Sequence, residues 1–135
     1  MTFPDRPYDN IASFYDDYAR QISKAVASVD RDLLSKAANI LNDVYTQDFT
    51  LFVAGNGGSA AIANTFVSDH SKLVQSDTSL TPRVVSLVGN SSMVTAIAND
   101  LSYDKVFVYQ LKTYARKGDC LVLVSASGES PNVVN

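Results

Sequence analysis

The stretch Thr50-Leu-Phe-Val-Ala-Gly-Asn-Gly-Gly-Ser59 decides the fold of this chain. Leu51 to Ala54 form a short, continuously apolar run, which is typical of a strand buried on both faces of a parallel sheet. The glycines that follow allow a positive φ and a close backbone approach, and a helical pattern runs from Ser59 to about Lys72. The stretch therefore predicts a strand, a tight turn and a helix, the repeating unit of α/β folds.

Two more strands are predicted further along the chain, at Arg83-Val-Val-Ser-Leu-Val88 and Cys120-Leu-Val-Leu-Val124. Residues 92–98 and 104–116 have helical spacing, and Pro131 suits the first turn of a last helix. This alternation predicts an α/β fold with three layers, a doubly wound parallel sheet with helices on its faces. Three strands make a narrow sheet, so we expect further elements of the domain to belong after Asn135.

Two helices are predicted before the first strand. Apolar residues recur at helical spacing from Asp9 to Val29, and again over residues 33–44. We expect residues 1–48 to form a helical segment used for oligomerisation and residues 49–135 to form the α/β domain. The aromatic-rich first helix packs either on a partner subunit or on the core of its own chain.

The composition excludes several classes of protein. The chain has 14 acidic and 11 basic residues scattered along 135 positions, so no basic patch for nucleic acid is expected. Neither a signal peptide nor a membrane span is recognised, which predicts a cytoplasmic protein without a membrane partner. Cys120 is the single cysteine, so no internal disulfide or thiolate metal cluster forms, and we expect it to be a buried strand residue.

Two turns lie where a predicted strand ends and a helix begins, the place where doubly wound sheets bind their ligands. The glycine loop (residues 55–59) offers backbone N–H groups at a helix start, and Ser59 adds a hydroxyl. The serine loop, Ser125-Ala-Ser-Gly-Glu-Ser130, offers three hydroxyls and no fixed positive charge. Together the loops favour a small phosphate ester over a metal–nucleotide complex.

The glycine loop also fits the dinucleotide fingerprint G-x-G-x-x-[GA], which is the alternative interpretation. That fingerprint needs an acid at the end of the next strand, to bind a ribose hydroxyl. Asp77 has the right sequence distance but precedes the second strand. The lysine of P-loop nucleotide hydrolases is missing as well.

Three motifs in this order resemble the sugar isomerase (SIS) domain, and more narrowly its phosphoheptose isomerase branch: Ala54-Gly-Asn-Gly-Gly-Ser-Ala-Ala61, Thr95-Ala-Ile-Ala-Asn-Asp100 and Ser125-Ala-Ser-Gly-Glu-Ser-Pro-Asn-Val-Val134. The resemblance implies a Rossmann-like or flavodoxin-like sheet and a homo-oligomer, a tetramer or dimer, built with the long N-terminal helix. It also implies a bound sugar phosphate, with the phosphate in the serine loop. The residues that it assigns to this ligand are Asn56, Gly57, Gly58, Ser59, Asn99, Asp100, Ser125, Ala126, Ser127 and Ser130.

The sequence departs from that family on the helix after the glycine loop. The resemblance implies a histidine and, four positions later, a catalytic glutamate; these positions are Thr65 and Asp69 here. A spacing of four keeps both on one helical face, so Asp69 is the candidate base, with a shorter reach than glutamate. Zinc, also implied by the resemblance, is disfavoured because Thr65 is not expected to bind it. His70 lies about 100° further round the helix, so we expect it at the surface or core edge.

The resemblance, together with the departures from it, leaves two functions open. The first is aldose–ketose isomerisation of sedoheptulose 7-phosphate or a related sugar phosphate, for surface polysaccharide synthesis, with Asp69 moving a proton through an enediol. The second is a non-catalytic SIS module that binds a sugar phosphate or a protein partner. Loss of the histidine–glutamate pair favours the second, while the phosphate-type loops fit both.

Overall fold

The computed structural model describes residues 3–135, which fall into two compact units, one ending at Ala38 and the other comprising Asn39–Asn135. Helix α1 (Ile11–Ala27) begins after Asn10, whose side chain accepts a hydrogen bond from the Ser13 amide at 2.9 Å and so caps the helix. Helix α2 (Arg31–Thr46) begins in the first unit and ends in the second. The predicted division at residue 48 stays a prediction.

In the first unit, α1 packs against the residues before it. The rings of Phe14 and Tyr18 are stacked at 6.0 Å, and the Tyr8 ring meets Phe14 edge-on. Asp17 is buried and accepts a hydrogen bond from the Tyr8 hydroxyl, which lowers the pKa of Asp17; Arg20 pairs with it at 3.1 Å. A buried charge with these partners keeps its ionised form.

The second unit alternates strands and helices, as predicted. Its strands are β1 (Thr50–Gly55), β2 (Arg83–Ser86) and β3 (Cys120–Val124). Between them lie α3 (Gly58–Ser68), a π-helix (Asp69–Val74), α4 (Gln75–Asp77), α5 (Ser91–Asp100), a 3₁₀ turn (Tyr103–Lys105) and α6 (Val106–Tyr114), and α7 (Pro131–Val134) follows β3.

The three strands form one parallel sheet in the order β2-β1-β3. On the central strand, Leu51 and Val53 face one layer and pack with residues of α2 and α3, whereas Phe52 and Ala54 face the other and pack with residues of α5 and α6. All four are buried, and complete burial of a leucine or phenylalanine side chain contributes about 1.5–3 kcal/mol. The predicted α/β architecture with helices on both faces is confirmed.

Several predicted boundaries were wrong. The helix after the glycine loop widens into a π-helix at Asp69 and ends at Asp77 rather than near Lys72. Strand β2 ends at Ser86 instead of residue 88, because the Ser86 hydroxyl accepts a hydrogen bond from the Val88 amide at 3.2 Å and starts a turn. Cys120 is half-buried rather than buried.

Within residues 3–135, none of the helices has the length and apolar character needed to cross a bilayer.

Candidate functional site

The glycine loop and the serine loop leave the sheet side by side. Gly55 and Val124 are register partners, the last pair of the β1–β3 ladder. Because the strands are parallel, both loops emerge at the carboxyl edge of the sheet. The chain moves from β1 to β2 on one side and later returns to β3 on the other, so these loops flank the topological switch point.

Backbone geometry fixes the glycine loop. A Cβ on Gly55 would lie 2.7 Å from the backbone carbon and oxygen of Ser59, so this position accepts only glycine without a shift. Gly57 has φ 54° and ψ −120°, which side chains rarely adopt, and α3 begins at the next residue. The Ser59 amide donates to the Asn56 carbonyl at 2.9 Å, which closes the turn.

Side chains fix the serine loop. The Ser125 hydroxyl accepts a hydrogen bond from the Gly128 amide at 3.0 Å, and the Ser127 hydroxyl accepts one from the Glu129 amide at 3.2 Å. Gly128 has φ 69° and reverses the chain between them. The exposed hydroxyl of Ser127 keeps its proton free to donate to an anion.

Asn99 and Asp100 lie in the last turn of α5, not in a loop after it. The Asn99 amide donates to the Asp100 carboxylate at 2.8 Å, and both residues are exposed. Tyr103 follows them on the 3₁₀ turn, and its hydroxyl donates to Oδ1 of Asn56 at 3.0 Å. The end of α5 is therefore linked to the glycine loop through Tyr103, a residue that the sequence analysis did not identify.

Asn132 is the second residue that sequence reasoning missed. It is 5% exposed, and its side chain exchanges two hydrogen bonds with that of Asn56, each at 2.8 Å. An asparagine in the first turn of a helix is ordinary, and its partner lies 76 positions away, so the sequence carries no local signal for the pair.

Thr65 and Asp69 lie one turn apart on the helix after the glycine loop, since the Asp69 amide still donates to the Thr65 carbonyl. Both side chains are exposed. The Thr65 hydroxyl donates to the Ala61 carbonyl at 3.1 Å, within its own helix. The described hydrogen bonds join neither residue to the two loops.

Comparison with known proteins identifies the family. The sequence-family model described as "SIS domain" matches residues 14–135 of the chain. The chain belongs to the SIS domain family. It is 40% identical over 118 residues, 87% of the chain, to a "Probable phosphoheptose isomerase" from Thermoplasma volcanium, and 35% identical over 114 residues, 84% of the chain, to the phosphoheptose isomerase of Aliarcobacter butzleri.

Solved structures agree with this assignment. The phosphoheptose isomerase GmhA from Neisseria gonorrhoeae aligns with 92% of the chain at 31% identity and a TM-score of 0.79. A phosphoheptose isomerase from Francisella tularensis, at 24% identity and a TM-score of 0.77, supports the fold alone. The chain covers 60% and 59% of the two relatives' lengths and 63% and 64% of the two solved chains, so it spans about three fifths of each.

Residues 3–135 do not by themselves supply the donor set of a zinc site. Zinc takes thiolate, imidazole or carboxylate ligands. In residues 3–135, no three histidine, cysteine, aspartate or glutamate side chains come together, and the Thr65 hydroxyl is hydrogen-bonded within its helix. We therefore derive no chemical step through a metal.

His70 lies at the edge of the core, as predicted. Its ring stacks on Phe66 with centroids 3.9 Å apart, and its Nδ1 is hydrogen-bonded to the Tyr45 hydroxyl. Burial lowers the pKa of His70 and raises the pKa of Tyr45 to about 12. The ring is thus a neutral packing group of α2 and the π-helix.

The dinucleotide alternative loses its support. Strand β2 ends at Ser86, whose hydroxyl donates to the side chain of Asn64 at 2.6 Å. Asp77 lies on α4, before this strand. The acid that a ribose would need at the end of the second strand is therefore replaced by serine.

Proposed function

We propose that this SIS domain binds a sugar phosphate and acts in a phosphoheptose isomerase, on sedoheptulose 7-phosphate or a related sugar phosphate. One observation carries the proposal: the glycine and serine loops leave adjacent strands at the register pair Gly55–Val124. They present backbone amides and hydroxyls at one edge of the sheet. The names of the relatives support the choice of substrate.

The serine loop is proposed to bind the phosphate, and the glycine loop and the Asn99–Asp100 pair the sugar. Ser125, Ser127 and Ser130 offer hydroxyl donors, and an exposed Ala126 between them leaves room for the anion. Asp100 accepts from Asn99 and keeps a carboxylate oxygen for a sugar hydroxyl. Gly57 and Gly58 are exposed and let the sugar approach the backbone.

Isomerisation of a ketose needs a base that removes a proton from carbon 1, next to the carbonyl at carbon 2. The electrons form an enediolate, a proton moves from the hydroxyl on carbon 1 to the oxygen on carbon 2, and a proton added at carbon 2 then leaves the aldose. Donors near the former carbonyl oxygen stabilise the charge that develops there. Asp69 is the proposed base, since its exposed carboxylate lies one turn beyond Thr65 on the helix that follows the glycine loop.

The test measures exchange of the carbon 1 proton of sedoheptulose 7-phosphate in deuterated water, together with aldose formation. Asp69→Asn should lower the exchange rate about 100-fold or more while binding is kept, because the amide cannot take the proton. Asp77→Asn, on α4, is the matched control and should exchange like wild type. Unchanged turnover in Asp69→Asn would remove Asp69 as the base.

A non-catalytic SIS module is the second candidate, favoured by the threonine at position 65 and its internal hydrogen bond. The same assay separates the two functions. A wild-type chain that binds the sugar phosphate but exchanges no carbon-bound proton is a binding module. A chain that does neither refutes the sugar-phosphate proposal.

We also propose that the protein is a cytoplasmic homo-oligomer assembled through α1. Exposed apolar side chains recur along this helix at one-turn spacing: Ile11, Tyr15, Tyr18, Ile22 and Val26. Such a stripe marks an interaction surface, and the family resemblance implies a second copy as its partner. Light scattering should give a dimer or tetramer for wild type and a smaller species for Ile22→Asp; a monomeric wild type contradicts the proposal.

A further inference from the structure

The side chain of Asn56 joins three separate segments. Its Nδ2 donates to Oδ1 of Asn132 at 2.8 Å, and its Oδ1 accepts from Nδ2 of Asn132 at 2.8 Å and from the Tyr103 hydroxyl at 3.0 Å. Asn56 follows β1, Tyr103 follows α5, and Asn132 lies on α7 directly after the serine loop. One amide group therefore links all three segments proposed to hold the sugar phosphate.

The acceptor atom of Asn56 is fully used. An amide oxygen has two lone pairs, and Asn132 and Tyr103 occupy both. A sugar hydroxyl therefore has no free lone pair to donate to on this oxygen. The Asn56 oxygen is thus engaged in holding the loops, while the second hydrogen on Nδ2 can still donate to a ligand, so the direct ligand role that the resemblance implies for Asn56 stays a prediction.

The pair with Asn132 is costly to break. Asn132 is 5% exposed, so an amide left without its partner there would lose its hydrogen bonds without regaining water. The two reciprocal bonds also fix the relative orientation of both amides, as a single bond would not. Within the described hydrogen bonds, this pair is the main side-chain tie between the glycine loop and the segment that follows the serine loop.

We propose that Asn132 is a positioning residue of the sugar-phosphate site: through its reciprocal amide pair with Asn56 it sets the spacing of the glycine and serine loops, and thereby the affinity for the ligand. This inference rests on the proposed function, because it assigns the loops to one ligand. Tyr103 supports the same amide from the other side and has a smaller role.

The first experiment measures the Kd of the full chain for sedoheptulose 7-phosphate in Asn56→Ala, Asn132→Ala and the double variant. Each single change should raise the Kd about tenfold, the effect of losing one or two well-made hydrogen bonds. The Kd of the double variant should also be only about tenfold above that of wild type, since both changes break the same pair of hydrogen bonds. A loss of affinity of about a hundredfold in the double variant would mean that the two effects add. The two residues would then act independently, which would overturn the proposed role of the pair.

The second variant is Asn132→Asp, which has the shape of the original residue. An ionised aspartate places an oxygen against Oδ1 of Asn56, whereas a protonated one restores both hydrogen bonds, and burial favours the protonated form. The Kd ratio of variant to wild type should therefore be high at pH 8 and fall as the pH is lowered. A ratio that does not change with pH contradicts the proposal.

Asn135→Ala, an exposed amide on the same segment, is the control and should bind like wild type. Hydrogen exchange without ligand separates this inference from the proposed function: Asn132→Ala should speed exchange at residues 55–59 and 125–130. Unchanged exchange overturns the coupling of the loops even if wild type binds the sugar. Failure of wild type to bind, with faster exchange in the variant, refutes the ligand and leaves the coupling supported.

Discussion

The glycine loop and the serine loop occupy equivalent places on adjacent strands but are stabilised in different ways. Backbone sterics shape the glycine loop, where a Cβ at position 55 would overlap Ser59, and α3 follows. Hydroxyls bonded to its own amides shape the serine loop, which precedes α7. We infer that substitutions in the first loop act mainly on folding, and those in the second mainly on ligand binding.

The largest expected effect is that of Gly55→Ala. Its Cβ would overlap the Ser59 backbone, which has no flexible end that can move away, so we expect a loss of about 3 kcal/mol in the free energy of unfolding. Gly58→Ala is the matched control: nothing lies within 4 Å, and alanine favours the helix start, so stability should stay equal or rise. Urea unfolding measures both, and equal midpoints would contradict a steric basis for the glycine loop.

Gly57→Ala and Gly128→Ala compare the loops directly, because both glycines have positive φ and open space around them. Gly57 caps α3 with ψ −120°, so relaxation would disrupt a long helix, and we expect a cost of about 2 kcal/mol. Gly128 is exposed and does not cap a helix, so its loop can relax, and we expect about 1 kcal/mol. A larger cost at Gly128 in the same urea measurement would reverse the comparison.

Ser127→Ala tests the other half of the comparison. Removal of a hydroxyl donor to a charged phosphate should raise the Kd for sedoheptulose 7-phosphate at least about tenfold. The unfolding midpoint should move little, since Ser127 is exposed. Calorimetric titration checks the affinity, with Ser76→Ala on α4 as the control. A stability loss without a change of Kd would give this loop a folding role instead.

The smallest expected effect is a pH dependence of stability that arises from His70 on the π-helix. Burial lowers the pKa of His70 below its ordinary value of 6.5. As the pH falls below 6.5, the unfolded chain therefore binds a proton at this residue more readily than the folded chain does. Stability should therefore be full above about pH 6.5 and decline as the pH falls below it. The midpoint temperature of thermal unfolding should fall by a few degrees between pH 7.5 and pH 5, and it should fall less in His70→Phe. An identical fall in the variant would show that His70 does not cause the pH dependence.

Much of this fold could be predicted from local pattern. The apolar run after Thr50 and the glycines at 55, 57 and 58 give the strand, the turn and the helix start, because burial and positive φ restrict the residue types there. The π-helix at Asp69 could not be predicted, because its residues keep the spacing of an α-helix and tertiary packing of His70 accompanies the wider turn.

The candidate site was predictable as two loops but not as one assembled unit. Glycines and hydroxyls mark the loops in the sequence, since each has a physical role within its own turn. The links between the loops depend on Asn132 and Tyr103, residues whose types are common in helices and turns. The strand order, which places β3 beside β1, brings Asn132 to Asn56, and Tyr103 reaches the same amide from the segment after α5.

The central position of β1 also has a consequence for the order of folding. Leu51 pairs with Val84 on β2 and with Cys120 on β3, and the second partner lies about twice as far along the chain. Each doubling of a closed loop costs about 0.6 kcal/mol of chain entropy, so the β1–β2 pair should form first, during synthesis as well as in refolding. The glycine loop is then assembled before the serine loop reaches it, and the proposed ligand site forms only once β3 has joined β1.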